Sequence, residues 1–212
     1  MNLIDEFGVI PFNYDLLSSF LGNYKSFKDK VASLEKKGDI IRVKKGLYVI
    51  NPLLLQNLLC KELIANHLYQ QSYVSFETAL SYYGLIPERV YTIKSASIKR
   101  SKSFSNRIGN FQYIQIDQVY FSVGVRSEIV NNNYSFLIAC PEKALCDLIV
   151  SSKMLRIQSL KSLKEYLFED LRIDYYKFKK LKPEIVKECL SKTAKKRTEL
   201  ELLYKIFNDE SI

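Results

Sequence analysis

The first fifty positions change from a helical to an alternating hydrophobic pattern. Phe27, Val31 and Leu34 recur at the spacing of one helix face, and residues 40–50 hold two β-rich runs around a turn that ends in Gly46. The pattern predicts, in chain order, a short helix over 13–21, a turn over 22–24, a helix over 26–37 and a hairpin over 40–50. This order is that of a winged helix-turn-helix, which we place at residues 1–51.

Polar residues at the ends of the second helix indicate where it starts and stops. Ser26 with Asp29 three positions later is typical of a capping box. Gly38 suits the position just after the last helical residue. A helix over about 26–37 would therefore present its polar face opposite the apolar stripe.

The pattern after Pro52 predicts a larger unit of mixed type. Aromatic or β-branched residues alternate with polar ones between Val90 and Val130, which is typical of a sheet. We expect helices over 53–69, 75–83 and 141–152, a buried strand over 136–139, and a charged helical tail from Ser159 that Pro183 breaks once. The predicted fold class is α+β, with a mixed sheet-and-helix domain over 52–155 and a helical C-terminal extension over 156–212 packed on it.

Composition narrows the classes of function. The 212 residues carry 32 Lys and Arg against 23 Asp and Glu, a formal net charge of +9, which favours a polyanionic partner. No apolar run approaches the roughly 20 residues that cross a bilayer, and the acidic Asp5 and Glu6 are unlike a secretory signal. We expect a cytoplasmic protein without membrane contact.

Cysteine and histidine usage argues against metal chemistry. Cys60, Cys140, Cys146 and Cys189 are widely spaced, each lies in an apolar run, and His67 has no second histidine to pair with. We expect reduced core cysteines, no metal site, no catalytic residues and no cofactor.

The strongest local charge lies on the predicted second helix and hairpin. Between Lys25 and Lys45 there are eight basic and three acidic residues. A recognition helix enters the major groove while the wing grips phosphates, so Arg42, Lys44 and Lys45 suit backbone contacts, and residues such as Lys28 and Asp29 suit base edges. The predicted DNA-binding residues are Tyr24, Lys25, Ser26, Lys28, Asp29, Ser33, Lys36, Arg42, Lys44 and Lys45.

Interpretations of these charges without a role in DNA binding stay open. The same helix and hairpin suit a solvated surface, or a winged helix that contacts only protein. A second, acid-free basic run suits either an ancillary phosphate contact or a mobile solvated loop; it comprises Lys94, Lys99, Arg100, Lys102 and Arg107.

Five segments spread over the first ~150 residues together resemble the AbiEi family of antitoxins. They are Gly8-Val9, the run Lys45 to Val49, the run Tyr73 to Leu80, the run Tyr83 to Pro87 and the run Ile138 to Asp147. Thr78 stands where a second serine is common in the family, and the tail after Met154 is similar only in being helical and charged.

The resemblance implies an antitoxin of a type IV toxin–antitoxin, or abortive infection, operon. Its winged helix would repress the operon at inverted repeats of double-stranded operator DNA, with two copies on two half-sites. Its C-terminal domain would counteract a nucleotidyltransferase toxin encoded by a neighbouring gene, without need of a stable complex. The motif residues it singles out are Ser75, Glu77, Thr78, Gly84, Pro141, Glu142, Lys143 and Asp147.

The same motif residues have a packing interpretation, which we favour over direct functional contact. Ser75, Glu77 and Thr78 suit the capped first turn of a helix. Pro141 and Glu142 suit another first turn, and Asp147 would cap or pair.

Two other classes compete with a repressor. The chain lacks the Gly-Ser turn and Asp-x-Asp of a nucleotidyltransferase, so it does not resemble the toxin, and its one Glu-x-Lys, at Glu35, is weak support for a nuclease. A protein-interaction module would use the basic tail segments 177–180 and 192–197 instead.

Overall fold

A computed structural model describes residues 2–22, 24, 26–56 and 58–208. The first part of the chain, here called the N-terminal unit, combines three helices with a small antiparallel sheet whose strand order is β1-β3-β2. Its elements are α1 (Leu3–Phe7), β1 (Phe12–Asn13), α2 (Tyr14–Leu21), α3 (Phe27–Lys37), β2 (Ile40–Lys44) and β3 (Leu47–Ile50). The predicted helices and hairpin are therefore present at the expected positions.

Short polar residues set the ends of these helices. Asn13 accepts the Leu16 N–H at 2.8 Å and caps α2. Gly38 ends α3 in the left-handed conformation, at φ 79°, as predicted. Ser26 stands at the N-cap of α3 but its side chain makes no capping hydrogen bond, so the predicted capping box with Asp29 is not formed.

The predicted helix over 53–69 is wrong in its first half. A single 3₁₀ turn covers Pro52–Leu54, and the next helix, α4, spans only Lys61–Leu68. Leu53 and Leu58 are both 90% exposed. These leucines gave the segment an apolar pattern without a core to pack on, so burial could not hold it as a helix.

A six-stranded mixed sheet forms the centre of the remaining chain, in the order β6-β7-β5-β4-β9-β8. Strand β4 is parallel to β9, β5 is parallel to β7, and the other pairs are antiparallel. The strands are β4 (Ser72–Val74), β5 (Thr92–Ser97), β6 (Lys102–Asn106), β7 (Gly109–Gln115), β8 (Val125–Val130) and β9 (Tyr134–Ala139). The predicted α+β class is confirmed, whereas the sequence pattern missed the three-residue β4.

Helices cover this sheet and carry the tail back onto it. The tail is interrupted several times. Pro183 begins a helix, so the prediction that it breaks one was wrong. The helices are α5 (Phe76–Tyr82), α6 (Gln118–Phe121), α7 (Pro141–Ser151), α8 (Leu160–Glu165), which continues as a π-helical turn over Tyr166–Asp170, α9 (Tyr175–Phe178), α10 (Pro183–Lys192) and α11 (Arg197–Phe207). Buried Leu163, Leu200 and Leu203 join the tail to the main core.

The β2–β3 hairpin contributes to two cores at once. Tyr48 and Ile50 face a small core inside the N-terminal unit. Val43, Leu47 and Val49 belong to the large core that contains the six-stranded sheet and its helices. The two parts of the chain are therefore joined by shared apolar packing.

In the described part of the chain, no helix has both the length and the apolar character that spanning a membrane requires. Cys140, Cys146 and Cys189 are buried, while Cys60 is partly buried at the start of α4.

Candidate nucleic-acid interface

Helix α3 turns its apolar stripe inward and its cations outward. Val31 and Leu34 are buried in the small core, and Phe27 packs against it. Lys28 and Lys36 lie on the exposed side, and neither has an ion-pair partner among the residues that the structure describes. Two unpaired ammonium groups on one exposed helix can reach a polyanion without breaking an internal contact.

The other helix residues predicted to contact DNA occupy the same outer side. Ser26 and Asp29 are exposed, and Ser33 is half-buried. Tyr24 is 48% exposed, with the Lys30 ammonium 5.0 Å from its ring centroid. Lys25 lies outside the described residues.

Arg42 on the hairpin is held by two neighbours while remaining accessible. Its guanidinium lies 2.6 Å from the Glu35 carboxylate and 5.9 Å from the Tyr48 ring centroid. Its side chain is 52% exposed. The hydrogen bond that Arg42 donates to Glu35 raises the pKa of Arg42. An exposed pair of this kind contributes at most about 1 kcal/mol, so a phosphate can compete for the guanidinium.

Lys44 does not project from the hairpin as its sequence position suggested. The strand bulges between Arg42 and Lys44, and the Lys44 ammonium donates to the Leu68 carbonyl at the end of α4. Lys45, at the hairpin turn, is exposed and has no ion-pair partner in the described chain. Of the two hairpin lysines predicted to contact phosphates, Lys45 is therefore the exposed one, whereas Lys44 already has an internal partner.

The motif segments that the sequence singles out converge on a buried polar network. Asp147 accepts hydrogen bonds from the Ser75 hydroxyl at 2.6 Å and the Tyr73 hydroxyl at 3.0 Å. The Lys143 ammonium lies 2.9 Å from the other Asp147 oxygen, and both of these side chains have 0% exposure. It also donates to the Tyr120 carbonyl at 3.1 Å and stands over the Tyr120 ring.

This network corrects the role predicted for Ser75. Its hydroxyl was expected to cap the first turn of α5, but no side-chain cap is formed and the hydroxyl is committed to Asp147. The next residue, Phe76, has φ 57°, an unfavourable conformation for a bulky side chain. Burial of the Phe76 ring holds the backbone there, since that residue is 2% exposed.

The remaining motif residues of α5 connect it to the sheet. Glu77 pairs with Lys94 of β5 at 2.7 Å. Thr78 accepts the Lys94 backbone N–H at 2.9 Å through its hydroxyl oxygen. These contacts orient helix α5 on strand β5.

Two of the motif residues, Gly84 and Glu142, hold the C-terminal extension in place. The Lys177 ammonium donates to the carbonyl of Gly84 at 2.8 Å, and Gly84 has φ 65° after α5, as a helix-terminating glycine should. Glu142, in the first turn of α7 after Pro141, accepts the Lys182 backbone N–H at 2.9 Å. Sequence reasoning missed these partners because both come from the C-terminal extension.

The buried network contains the residue types of a nucleophile and its general base, but no substrate can reach them from solvent. Ser75, Lys143 and Asp147 are all 0% exposed, so a substrate cannot reach the hydroxyl in this conformation. Burial also raises the pKa of the Cys140 thiol to about 12 and that of Cys60 to about 11, which keeps both thiols protonated at neutral pH. Within the described ranges, no group of three or more His, Cys, Asp or Glu side chains is arranged to hold a metal ion.

No model of a known protein family matches the chain, and no curated protein sequence matches it either. Its function is therefore inferred from the residues and contacts given above.

Proposed function

We propose that this chain is an antitoxin of the AbiEi type that represses its own operon through an N-terminal winged helix. In this proposal α3 is the recognition helix and the β2–β3 hairpin is the wing. Two copies occupy inverted half-sites on double-stranded DNA. The protein performs no chemistry itself.

One observation carries the DNA-binding part. The exposed side of α3 and the tip of the hairpin hold Lys28, Lys36 and Lys45 without ion-pair partners in the described chain. Cations left unpaired on a helix and an adjacent hairpin suit a partner whose charge is regularly spaced, as in the phosphates of a duplex.

The antitoxin part is supported by the way the motifs fit together. Ser75 and Asp147 are 72 residues apart in the sequence and form a buried hydrogen bond. The two longest segments of the family resemblance are thus halves of one structural unit. We infer that this unit, with the tail that Glu142 and Gly84 fasten, is the part that counteracts a nucleotidyltransferase toxin.

A separation-of-function variant tests the proposal. Lys28→Gln combined with Lys36→Gln should abolish repression of a reporter driven by the chain's own upstream region, because it removes charges from the DNA-facing helix. It should still rescue cells that express the neighbouring toxin gene, since both residues lie outside the buried network.

Lys161→Gln combined with Lys187→Gln is the matched control, as it removes the same charge from exposed positions of the C-terminal extension. The control should retain both repression and rescue. Normal repression by the α3 variant, or a wild-type chain that rescues no cells, would contradict the proposal.

A further inference from the structure

The six-stranded sheet ends on one side at β8, a strand with unused backbone groups. Ser127 of β8 lies opposite Leu137 of β9, but the Leu137 N–H and carbonyl are both bonded to the Asn66 side chain. Because backbone bonds alternate along an antiparallel pair, Val125, Ser127 and Ile129 direct their N–H and carbonyl groups away from β9. No backbone hydrogen bond from another element of the described chain reaches these groups.

Strand β8 lacks features that protect the edges of natural sheets. Its pairing with β9 runs over Val125–Val130 without a bulge, and it contains no proline and no lysine. Ile129 is 65% exposed, and Leu137, on the same face of the sheet, is 43% exposed. The opposite edge strand, β6, is fastened at its end, because Asn106 donates to the hairpin. A regular edge with exposed apolar side chains is a template for another strand.

The charges of β8 complement those of a second β8 in one antiparallel register. When Ser127 lies opposite Ser127 of another copy, Arg126 of each copy lies opposite Glu128 of the other. These are non-hydrogen-bonded pairs, in which opposed side chains are closest. Sliding one strand by two residues either way would set two arginines or two glutamates opposite each other. Sliding it by one residue would misalign the outward backbone groups.

Both charged residues are available for such pairing. Arg126 is exposed and Glu128 is half-buried. Neither has an ion-pair partner within the parts of its own chain that the structure describes. Burial and the neighbouring Glu128 carboxylate raise the pKa of Tyr82 to about 12. The carboxylate therefore has a hydroxyl neighbour within its own chain, and its charge is left for a cation from outside.

We propose that two copies of this chain associate through β8, antiparallel and about a two-fold axis at Ser127, so that their sheets become continuous. The two Ser127 residues exchange both of their outward backbone hydrogen bonds, and Val125 of each copy does so with Ile129 of the other. The same surface serves on both copies, so association stops at a dimer and leaves no free β8 edge. The inference goes beyond the proposed function and does not depend on DNA.

Sedimentation velocity of the full chain at concentrations up to roughly 200 μM measures this association, since that range fills interfaces of micromolar dissociation constant. The wild-type chain should show a reversible monomer–dimer equilibrium. Arg126→Glu makes both cross-strand pairs repulsive and should raise the dissociation constant of the dimer roughly 10- to 100-fold. Lys161→Glu changes the charge equally at an exposed position of α8 and should leave that constant unchanged.

A mixture of Arg126→Glu with Glu128→Arg tests the register itself. Each variant alone repels its own copies and should be monomeric where the wild-type chain is dimeric. The mixture should form a heterodimer, because the two acidic positions of one variant then face the two basic positions of the other. A structural defect would not be repaired by mixing.

Ile129→Lys tests the edge without changing either charged residue, at a position outside the buried core. It should weaken the dimer as well, because it replaces the exposed apolar contact with Val125 of the other copy. Each of three results would overturn the inference: a wild-type chain that stays monomeric, Arg126→Glu and Ile129→Lys variants that dimerise as Lys161→Glu does, or a mixture of folded charge variants that stays monomeric. None of these results bears on repression, so the repressor proposal would stand or fall separately.

Discussion

At the scale of single residues, the sequence singled out residues that the structure brings together in one network, but it did not identify all of their hydrogen-bond partners. The spacing of Lys143 and Asp147 on one predicted helix allowed them to pair, and they do. The hydroxyls that complete the network belong to Tyr73 and Ser75, which are remote in sequence. Local pattern carries no information on such contacts, so Ser75 was assigned to capping, the commonest role of a serine before a helix.

Removing the cation of this network should destabilise the fold. Lys143→Met leaves the Asp147 carboxylate buried with two hydroxyl donors only, so we expect the free energy of unfolding to fall by about 3–5 kcal/mol. Adding Asp147→Asn removes the uncompensated charge and should recover part of this loss. Urea unfolding measures both variants.

A surface control is provided by Lys187→Met, which should stay within about 0.5 kcal/mol of the wild type. A loss below about 1 kcal/mol for Lys143→Met would mean that the pair contributes little and that the network is not what joins the two motif segments.

At the scale of elements, hydrophobic periodicity succeeded where an amphipathic face meets a core. Helix α3 and helix α7 have the predicted extents to within a residue or two because their apolar stripes are buried. It failed in the segment after Pro52, where Leu53, Leu54 and Leu58 are exposed, and at β4, which is too short to show alternation. Charge in the sequence marks α3 and the hairpin as a candidate interface. The inward turn of Lys44 follows from a bulge and from contact with α4, and neither is visible in the local sequence.

The exposed position of Lys45 leads to a prediction for the hairpin turn. Lys45→Gln should weaken binding to all duplexes by a similar factor and flatten the salt slope by about one, because one phosphate contact is lost without any base contact. Gel retardation at several salt concentrations measures this. Unchanged retention throughout the series, or a loss confined to one sequence, would show that the turn is not a phosphate-binding wing.

At the scale of the whole molecule, the two predicted regions are less separate than a boundary at residue 51 suggests. Val43, Leu47 and Val49 of the hairpin are buried against the larger unit, and each such side chain contributes about 1.5–3 kcal/mol when removed from water. A shared core fixes the orientation of the larger unit relative to the hairpin. The residues proposed to face DNA and the motif network are consequently parts of one body.

The most direct measurement is hydroxyl-radical footprinting of the full-length chain on its own upstream region. The proposal predicts two protected half-sites related by inverted symmetry, spaced by about one helical turn of 10–10.5 base pairs or a multiple of it. Protection should disappear with Lys28→Gln and Lys36→Gln and persist with Lys161→Gln and Lys187→Gln. A uniform cleavage pattern at protein concentrations that saturate heparin binding would contradict the account.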